Sequence, residues 1–306
     1  MNIDPKNTAF GRHETFPLRY GWLTKGYEAL IDRPDIFAES DLAMVRLGVG
    51  RNMVSAILYW LQAARLIDYN NGEATPTALG EAILGEQGDR FLEDEATLWV
   101  IHWLIASNCR LATGFYWFFN RFALPRFREE ELRASLADFV ERELRIKRSA
   151  STLKSDTSTL LRMYAPGDPS DPGRGEDHLD TPMSQLRLIE QTGQGREFLS
   201  QRAPRPWLPP LVLHLALSEC FADAAEGQPA IPIRDLLYGR DEGAAPGAVF
   251  RLSEDGLMSA LNRVMHTWPG YYELRDTAGL HQLYRIRDIA APEAILRDYY
   301  QQEVAA

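Results

Sequence analysis

Between residues 10 and 26 the chain reads FGRHETFPLRYGWLTKG, a stretch that gathers one histidine, one carboxylate and three cations. His13 beside Glu14 can bind a divalent ion or move a proton, and Arg12, Arg19 and Lys25 can hold a phosphate during phosphodiester cleavage. That reaction needs a metal or base to generate the nucleophile, and positive charge to stabilise the crowded anionic phosphorus. No other short stretch supplies all of these. In this scheme Glu14 ligates Mg²⁺ directly or through water, His13 orients or deprotonates the attacking water, and the cations clamp the scissile phosphate. A structural reading of the same residues stands beside it: Glu14 and Thr15 suit a helix N-terminus, and His13 can satisfy a backbone group.

A second group of chemically able residues lies in Ala165 to Asp180, APGDPSDPGRGEDHLD, where Pro, Gly and Asp exclude regular structure. Glu176, Asp177, His178 and Asp180 place four possible ligands close together, with Asp177 and Asp180 the oxygen donors best suited to Mg²⁺, or to Mn²⁺ if His178 joins them. The alternative is an ordinary acidic loop whose end, Asp180 or Thr181 before Pro182, caps the next helix. Cys109 and Cys220 lie far apart with no metal-ligand spacing and in apolar helical contexts, which reads as buried thiols.

Elements able to position this chemistry are clearest between Leu47 and Leu84. A short helix over Asp41–Leu47 is followed by Gly48 and Gly50, which permit a tight turn, and then by a helix over Arg51–Leu66. Met53, Val54, Ile57, Leu58, Leu61 and Ala64 recur at the spacing of a buried stripe, and the other side carries Arg51, Asn52, Ser55, Tyr59 and Gln62. Those side chains suit phosphates and base edges. Ile67–Tyr69, Asn70-Asn71-Gly72 and Glu73–Thr75 read as strand, positive-φ turn and return strand, and Thr77 caps a last helix. The pattern is a winged helix-turn-helix, a module that also serves for protein docking.

Downstream, Trp99, Trp103, Phe115, Tyr116, Trp117, Phe118, Phe119 and Phe122 fall at helical spacing, which favours core over a base-stacking platform. A charged helix over Glu129–Glu143 leads through Arg145-Ile146-Lys147-Arg148 into a Ser149- or Ser151-capped helix ending at Tyr164. Arg145, Lys147, Arg148 and Lys154, with Arg142, form a patch for phosphates or an ordinary solvated turn. A second winged-helix pattern occupies the C-terminal part: an apolar helix over Trp207–Phe221, a short one over Ile233–Tyr238, a Ser253-capped helix, and a hairpin over Tyr271–Ile286. Its presumed reading face is less polar, which suits docking to protein, with DNA as the alternative.

The fold class expected is therefore mainly α, with winged helix-turn-helix units and small β-wings over residues 1–90 and 167–306, joined by a helical middle region over 91–166. A net charge of −10 argues against indiscriminate coating of nucleic acid, whose affinity comes from neutralised phosphates. The charge is uneven: 9 basic and 12 acidic groups in residues 1–90, 11 and 10 in 91–166, 13 and 21 in 167–306, so DNA contact belongs to the first half. No apolar run of membrane-spanning length and no signal-peptide pattern at MNIDPKNTAF are present, and a cytoplasmic location is expected.

FGRHETFPLRYGWLTKG followed by LGVGRNMVSAILYWLQAARLI resembles a bacterial family long labelled a domain of unknown function, the SspB-type family encoded beside DNA phosphorothioation genes; the similarity continues through STLKSDTSTLLRMYAP and EDHLDTPMSQLRLI. The resemblance implies a Mg²⁺-dependent DNA nickase that cuts one strand so that sulfur can be installed, within an antiphage system. It also implies double-stranded DNA as substrate and, as partners, a cysteine desulfurase, an ATPase and an ATP pyrophosphatase-like sulfur-transfer protein. The sequence holds no PD-(D/E)xK or HNH arrangement, so the alternative is a non-catalytic recognition subunit or transcription regulator.

Overall fold

The computed structural model describes residues 3–165, 181–192, 197–224, 229–239, 243–277 and 279–304. Its centre is set by three helices that are apolar on nearly every side and so can only be interior. They are α5 (Glu95–Ala106), α6 (Thr113–Asn120) and α9 (Pro210–Ala222). In α5 every residue from Ala96 to Ala106 is buried, and Asp94 caps its start by accepting from the Ala96 N–H. Trp99, Trp103, Phe115, Tyr116, Trp117, Phe118, Phe119 and Phe122 are all buried, which settles the aromatic-rich stretch as core.

Around that layer run α1 (Trp22–Asp32), α2 (Ser40–Leu47), α3 (Arg51–Ala63), β1 (Ile67–Asn70), β2 (Glu73–Pro76) and α4 (Ala78–Leu84) on the N-terminal side. β3 (Arg126–Arg128), α7 (Glu129–Asp138) and α8 (Ala150–Tyr164) follow α6. β4 (Glu190–Thr192) and β5 (Glu197–Leu199) precede α9, and β6 (Ala230–Pro232), α10 (Ile233–Tyr238), α11 (Pro246–Val249), α12 (Glu254–Thr267), β7 (Tyr272–Thr277), β8 (Leu280–Arg285) and α13 (Pro292–Val304) complete the chain. The protein is mainly helical with small antiparallel sheets ordered β1-β2, β3-β5-β4 and β6-β8-β7.

Local chemistry explains the joints. Gly48 ends α2 in the left-handed region (φ 67°) with its N–H on the Met44 carbonyl, and α3 starts three residues later. β1 and β2 pair from Ile67↔Pro76 to Asn70↔Glu73 across Asn71 (φ 53°) and Gly72 (φ 90°), as a two-residue hairpin with both central residues left-handed requires. Thr77 caps α4 by accepting from the Gly80 N–H, Ser149 caps α8 from Thr152, and Ser253 caps α12 from Gly256. The charged helix expected to reach Glu143 ends its regular α-form at Asp138 and widens into a π-turn over Phe139–Glu143, which buries Phe139 and Val140.

One continuous buried cluster runs from Phe10 to Tyr300. α13 returns to pack on α4 and α9, and the Tyr300 hydroxyl meets Thr97 Oγ1 at 2.7 Å. The buried His102 of α5 ties the layers together: its Nε2 lies 3.0 Å from the Val249 carbonyl, to which it donates, while Nδ1 accepts from the Tyr164 hydroxyl at 2.8 Å. Burial pushes this imidazole down to about 3, so it stays neutral. Arg251, equally buried, donates to the Phe118 and Phe119 carbonyls at the C-terminal end of α6 and to Ser200 Oγ. Desolvation pulls its guanidinium down to about 9. No helix among the described residues is long and apolar enough to cross a membrane.

Candidate functional site

The peptide Phe10–Thr15 lies as a strap across α8, and one carboxylate holds it there. Asp156, 5% exposed, accepts from the Gly11 N–H through both oxygens (3.1 Å each) and lies 2.9 Å from His13 Nε2. The Thr15 N–H donates to His13 Nδ1 at 3.2 Å, so Nδ1 is an acceptor and the ring proton sits on Nε2, facing Asp156. His13 is completely buried, stacked parallel on Trp60 of α3 and met edge-on by Tyr59 and Phe115. Both of its nitrogens are therefore engaged by the protein, and its geometry is that of a positioning residue.

The same strap turns the neighbouring side chains outward. Glu14 (φ 49°) and Thr15 (φ 67°) are left-handed, and Arg12, Glu14 and Thr15 are exposed while His13 between them points in. Arg162 of α8 donates to the Thr15 carbonyl. α1 begins only at Trp22, with Gly21 as its N-cap, so neither Glu14 nor Thr15 caps it. Arg19 stacks over Phe16 and Trp22 (5.8 and 5.4 Å to the ring centres), and Lys25 is exposed in the first turn of α1.

On α3, Arg51, Asn52 and Ser55 are exposed and Gln62 is half-buried. Arg51 pairs with Asp41 at 3.0 Å, a solvent-facing contact of little strength that a phosphate can displace. Tyr59 is turned in, packed edge-on to Trp60, and burial raises its phenol well above the usual range. The strap is the reason: α3 is covered on one side by α1, where a Cβ on Gly26 would meet Ile57 Cγ2 at 2.6 Å, and on a second side by His13. Its buried face is wider than a single stripe.

The basic turn before α8 keeps Arg145, Lys147, Arg148 and Lys154 exposed, with Arg145 itself left-handed (φ 55°). Arg148 reaches over the Phe10 ring, 5.7 Å to its centre, and there meets cations the sequence scatters widely. Lys6, Arg12, Arg110 and Arg148 line one open groove of about 530 Å³, with Phe10 and Leu111 as its apolar part. Lys6 and Arg110 were not singled out by the sequence pattern, since each stands alone along the chain.

No three His, Cys, Asp or Glu side chains converge into a metal-holding group among the described residues. Asp177 and Asp180 lie outside the described residues, and Glu14 contributes a single exposed carboxylate. The described residues thus do not by themselves build a metal centre. Cys109 and Cys220 form no disulfide among the described residues and are only partly buried; both line a cavity of about 450 Å³ with Tyr116, Glu219, Asp223 and Arg65.

The chain is mainly helical, with small antiparallel sheets, and its N-terminal strap presents a cation-lined groove. The chain belongs to the family described as Protein of unknown function (DUF4007), whose model matches residues 10–300. Its fold is that of SspB. The crystal structure of magnesium ion-bound SspB matches with a TM-score of 0.84 at 28% identity, covering 98% of this chain and 89% of that one. A further SspB crystal structure matches with a TM-score of 0.82 at 28% identity, covering 96% and 87%. No curated protein sequence matches the chain.

Proposed function

We propose that this protein is the DNA-nicking component of a bacterial phosphorothioation system, cutting one strand of duplex DNA with Mg²⁺ in the cytoplasm. The observation that carries the reading is the likeness over 98% of the chain to magnesium ion-bound SspB. In this reading α2, α3 and the β1–β2 hairpin act as a winged helix, with Arg51, Asn52 and Ser55 toward the bases and Gln62 at the edge. Arg145, Lys147, Arg148 and Lys154 meet backbone phosphates. The chemical centre is the Arg12–Glu14 turn: Arg12, with Arg19 and Lys25 on the flank, faces the anionic phosphate, Glu14 supplies the free carboxylate, and His13 holds the turn in place. The C-terminal unit is left to meet the desulfurase, ATPase or sulfur-transfer partners, consistent with its acidic excess.

One observation favours a second reading, a non-catalytic recognition subunit: both nitrogens of His13 are spoken for. Supercoiled plasmid separates the two. Purified protein with Mg²⁺ should convert it to open circles, EDTA should stop the conversion, and Glu14→Gln should slow it while leaving duplex affinity intact. Plasmid binding without any nicking, at any Mg²⁺ or Mn²⁺ concentration, establishes the recognition subunit instead.

A further inference from the structure

We propose that the groove of Lys6, Arg12, Arg110 and Arg148 seats the phosphodiester backbone of a DNA strand, and that Asp156 is the positioning residue that aims Arg12 into it; the proposal rests on the DNA-binding reading above. Four cations arrive from three separate segments: the N-terminal peptide, the α5–α6 connection and the turn before α8. None of the four forms an ion pair among the described residues: Asp4 is spent within its own turn on the Lys6 N–H and on Asn7 Nδ2, and Asp156, the carboxylate behind the strap, is engaged by Gly11 and His13. Like charges gathered without counterions repel one another, and in a chain of net charge −10 such a cluster is the opposite of the average surface. An anion relieves that repulsion. The start of the fifteen-residue α8, immediately after Arg148, adds the positive end of its dipole on the same side.

The groove has the means to hold a backbone and lacks those to read a base. Phe10 is nearly buried and its face is taken by the Arg148 guanidinium, so no open ring remains for stacking. Contact here is therefore sequence-independent, and discrimination falls to α3. Arg12 stands between Gly11, whose backbone N–H donates to Asp156, and His13, whose ring Nε2 is bound to the same carboxylate, so Asp156 ties down both neighbours of the strap's groove cation. A Cβ at Gly11 would press on Thr152 Cγ2 at 3.1 Å, and its φ of +70° favours glycine, which keeps the strap close against α8.

Affinity for a labelled duplex of arbitrary sequence, measured by fluorescence anisotropy across a salt series, tests this. Replacing Lys6 and Arg110 by Gln should flatten the slope of log affinity against log salt by about 0.9 per lost contact, about 1.8 for the pair. Arg234→Gln with Arg297→Gln, the same charge change on α10 and α13, should leave the slope near wild type. Asp156→Asn should reproduce the Arg12→Gln slope and add nothing in an Arg12→Gln background. A wild-type slope in the Lys6 and Arg110 variant overturns the groove while sparing the DNA-binding reading. Equal flattening by both pairs reduces the effect to net charge and also overturns it. Failure of the wild-type protein to bind duplex sinks both readings, and an Asp156→Asn effect that persists without Arg12 removes the positioning role.

Discussion

Asp156→Ala removes the acceptor that, among the described residues, serves two donors, the half-buried Gly11 N–H and the buried His13 Nε2–H. Leaving a buried donor unsatisfied costs about 1–3 kcal/mol, so the pair sets a range of roughly 2–6 kcal/mol. Two features place the expected loss in the lower half of that range. Deleting a buried carboxylate also recovers its desolvation. The strap keeps other ties, the Ala9 N–H to Thr113 Oγ1 at 3.0 Å and the Arg162 bond to the Thr15 carbonyl. We expect about 3 kcal/mol, and roughly half that for Asp156→Asn, which retains one acceptor oxygen but turns an amide donor toward another donor. Urea unfolding of both variants, completed by His13→Ala and the double mutant, measures the coupling, expected at about 1–3 kcal/mol for residues in direct contact. Stability of Asp156→Ala within about 0.5 kcal/mol of wild type, the range of an ordinary surface change, refutes the latch.

Acid should weaken the fold through His102. Its folded value, about 3, lies below the ordinary 6.5, so below pH 6.5 the unfolded chain binds the extra proton and stability falls with pH until the folded value is reached. Between pH 7 and 5 this amounts to roughly 2 kcal/mol, and the difference in urea-measured stability should shrink by about that much in His102→Gln. His214, pushed down to about 4 by burial, acts in the same direction. Gly80→Ala should be strongly destabilising, because its Cβ would fall 2.0 Å from the Leu66 carbonyl oxygen; a melting temperature close to wild type contradicts that close approach. Replacing Arg51 and Asn52 by Ala should weaken binding to a preferred duplex by about 1–3 kcal/mol per base-contacting residue, and equal losses on all sequences would reassign them to the backbone.

What the sequence displayed well was chemistry contained within a few residues. The double-glycine turn, the Asn71-Gly72 hairpin and the Thr77 and Ser253 caps each depend on partners at most nine positions away, and each forms as read. Where a second layer intervened, the reading shifted. The Tyr59 ring lies beside His13, which the fold carries over α3 from another segment, and a helical wheel holds no trace of that cover. The β3-β5-β4 sheet went unseen because its strands are three residues long, too short for alternation to register. Asp156 is the plainest case. Its partners are 145 and 143 positions away, so in sequence it is one acid within STLKSDTSTLL with nothing beside it to show what it holds.

The strap also couples the two halves of the proposed interface. The His13 ring touches Trp60 of α3 on one face and Phe115 of α6 on an edge, while its Nε2 is bound to Asp156 of α8. The Phe16 carbonyl, next along the chain, accepts from Trp60 Nε1 at 3.1 Å. The exposed face of α3 and the cation-lined groove are thus fixed to one another through buried, hydrogen-bonded contacts rather than through a hinge. Close-packed contacts of this kind transmit a displacement rather than absorb it. On the proposed reading, a strand seated in the groove is held at a set offset from the bases facing Arg51 and Asn52, and the strap then sets where a cut falls relative to the recognised sequence. Loosening it at Asp156 should therefore blur the nicking position along the DNA in addition to lowering affinity, whereas substitutions at Lys6 or Arg110 should lower affinity and leave the position sharp. Sequencing the nicked ends distinguishes these outcomes, and a single sharp position in the Asp156→Asn protein would show that the offset is set elsewhere.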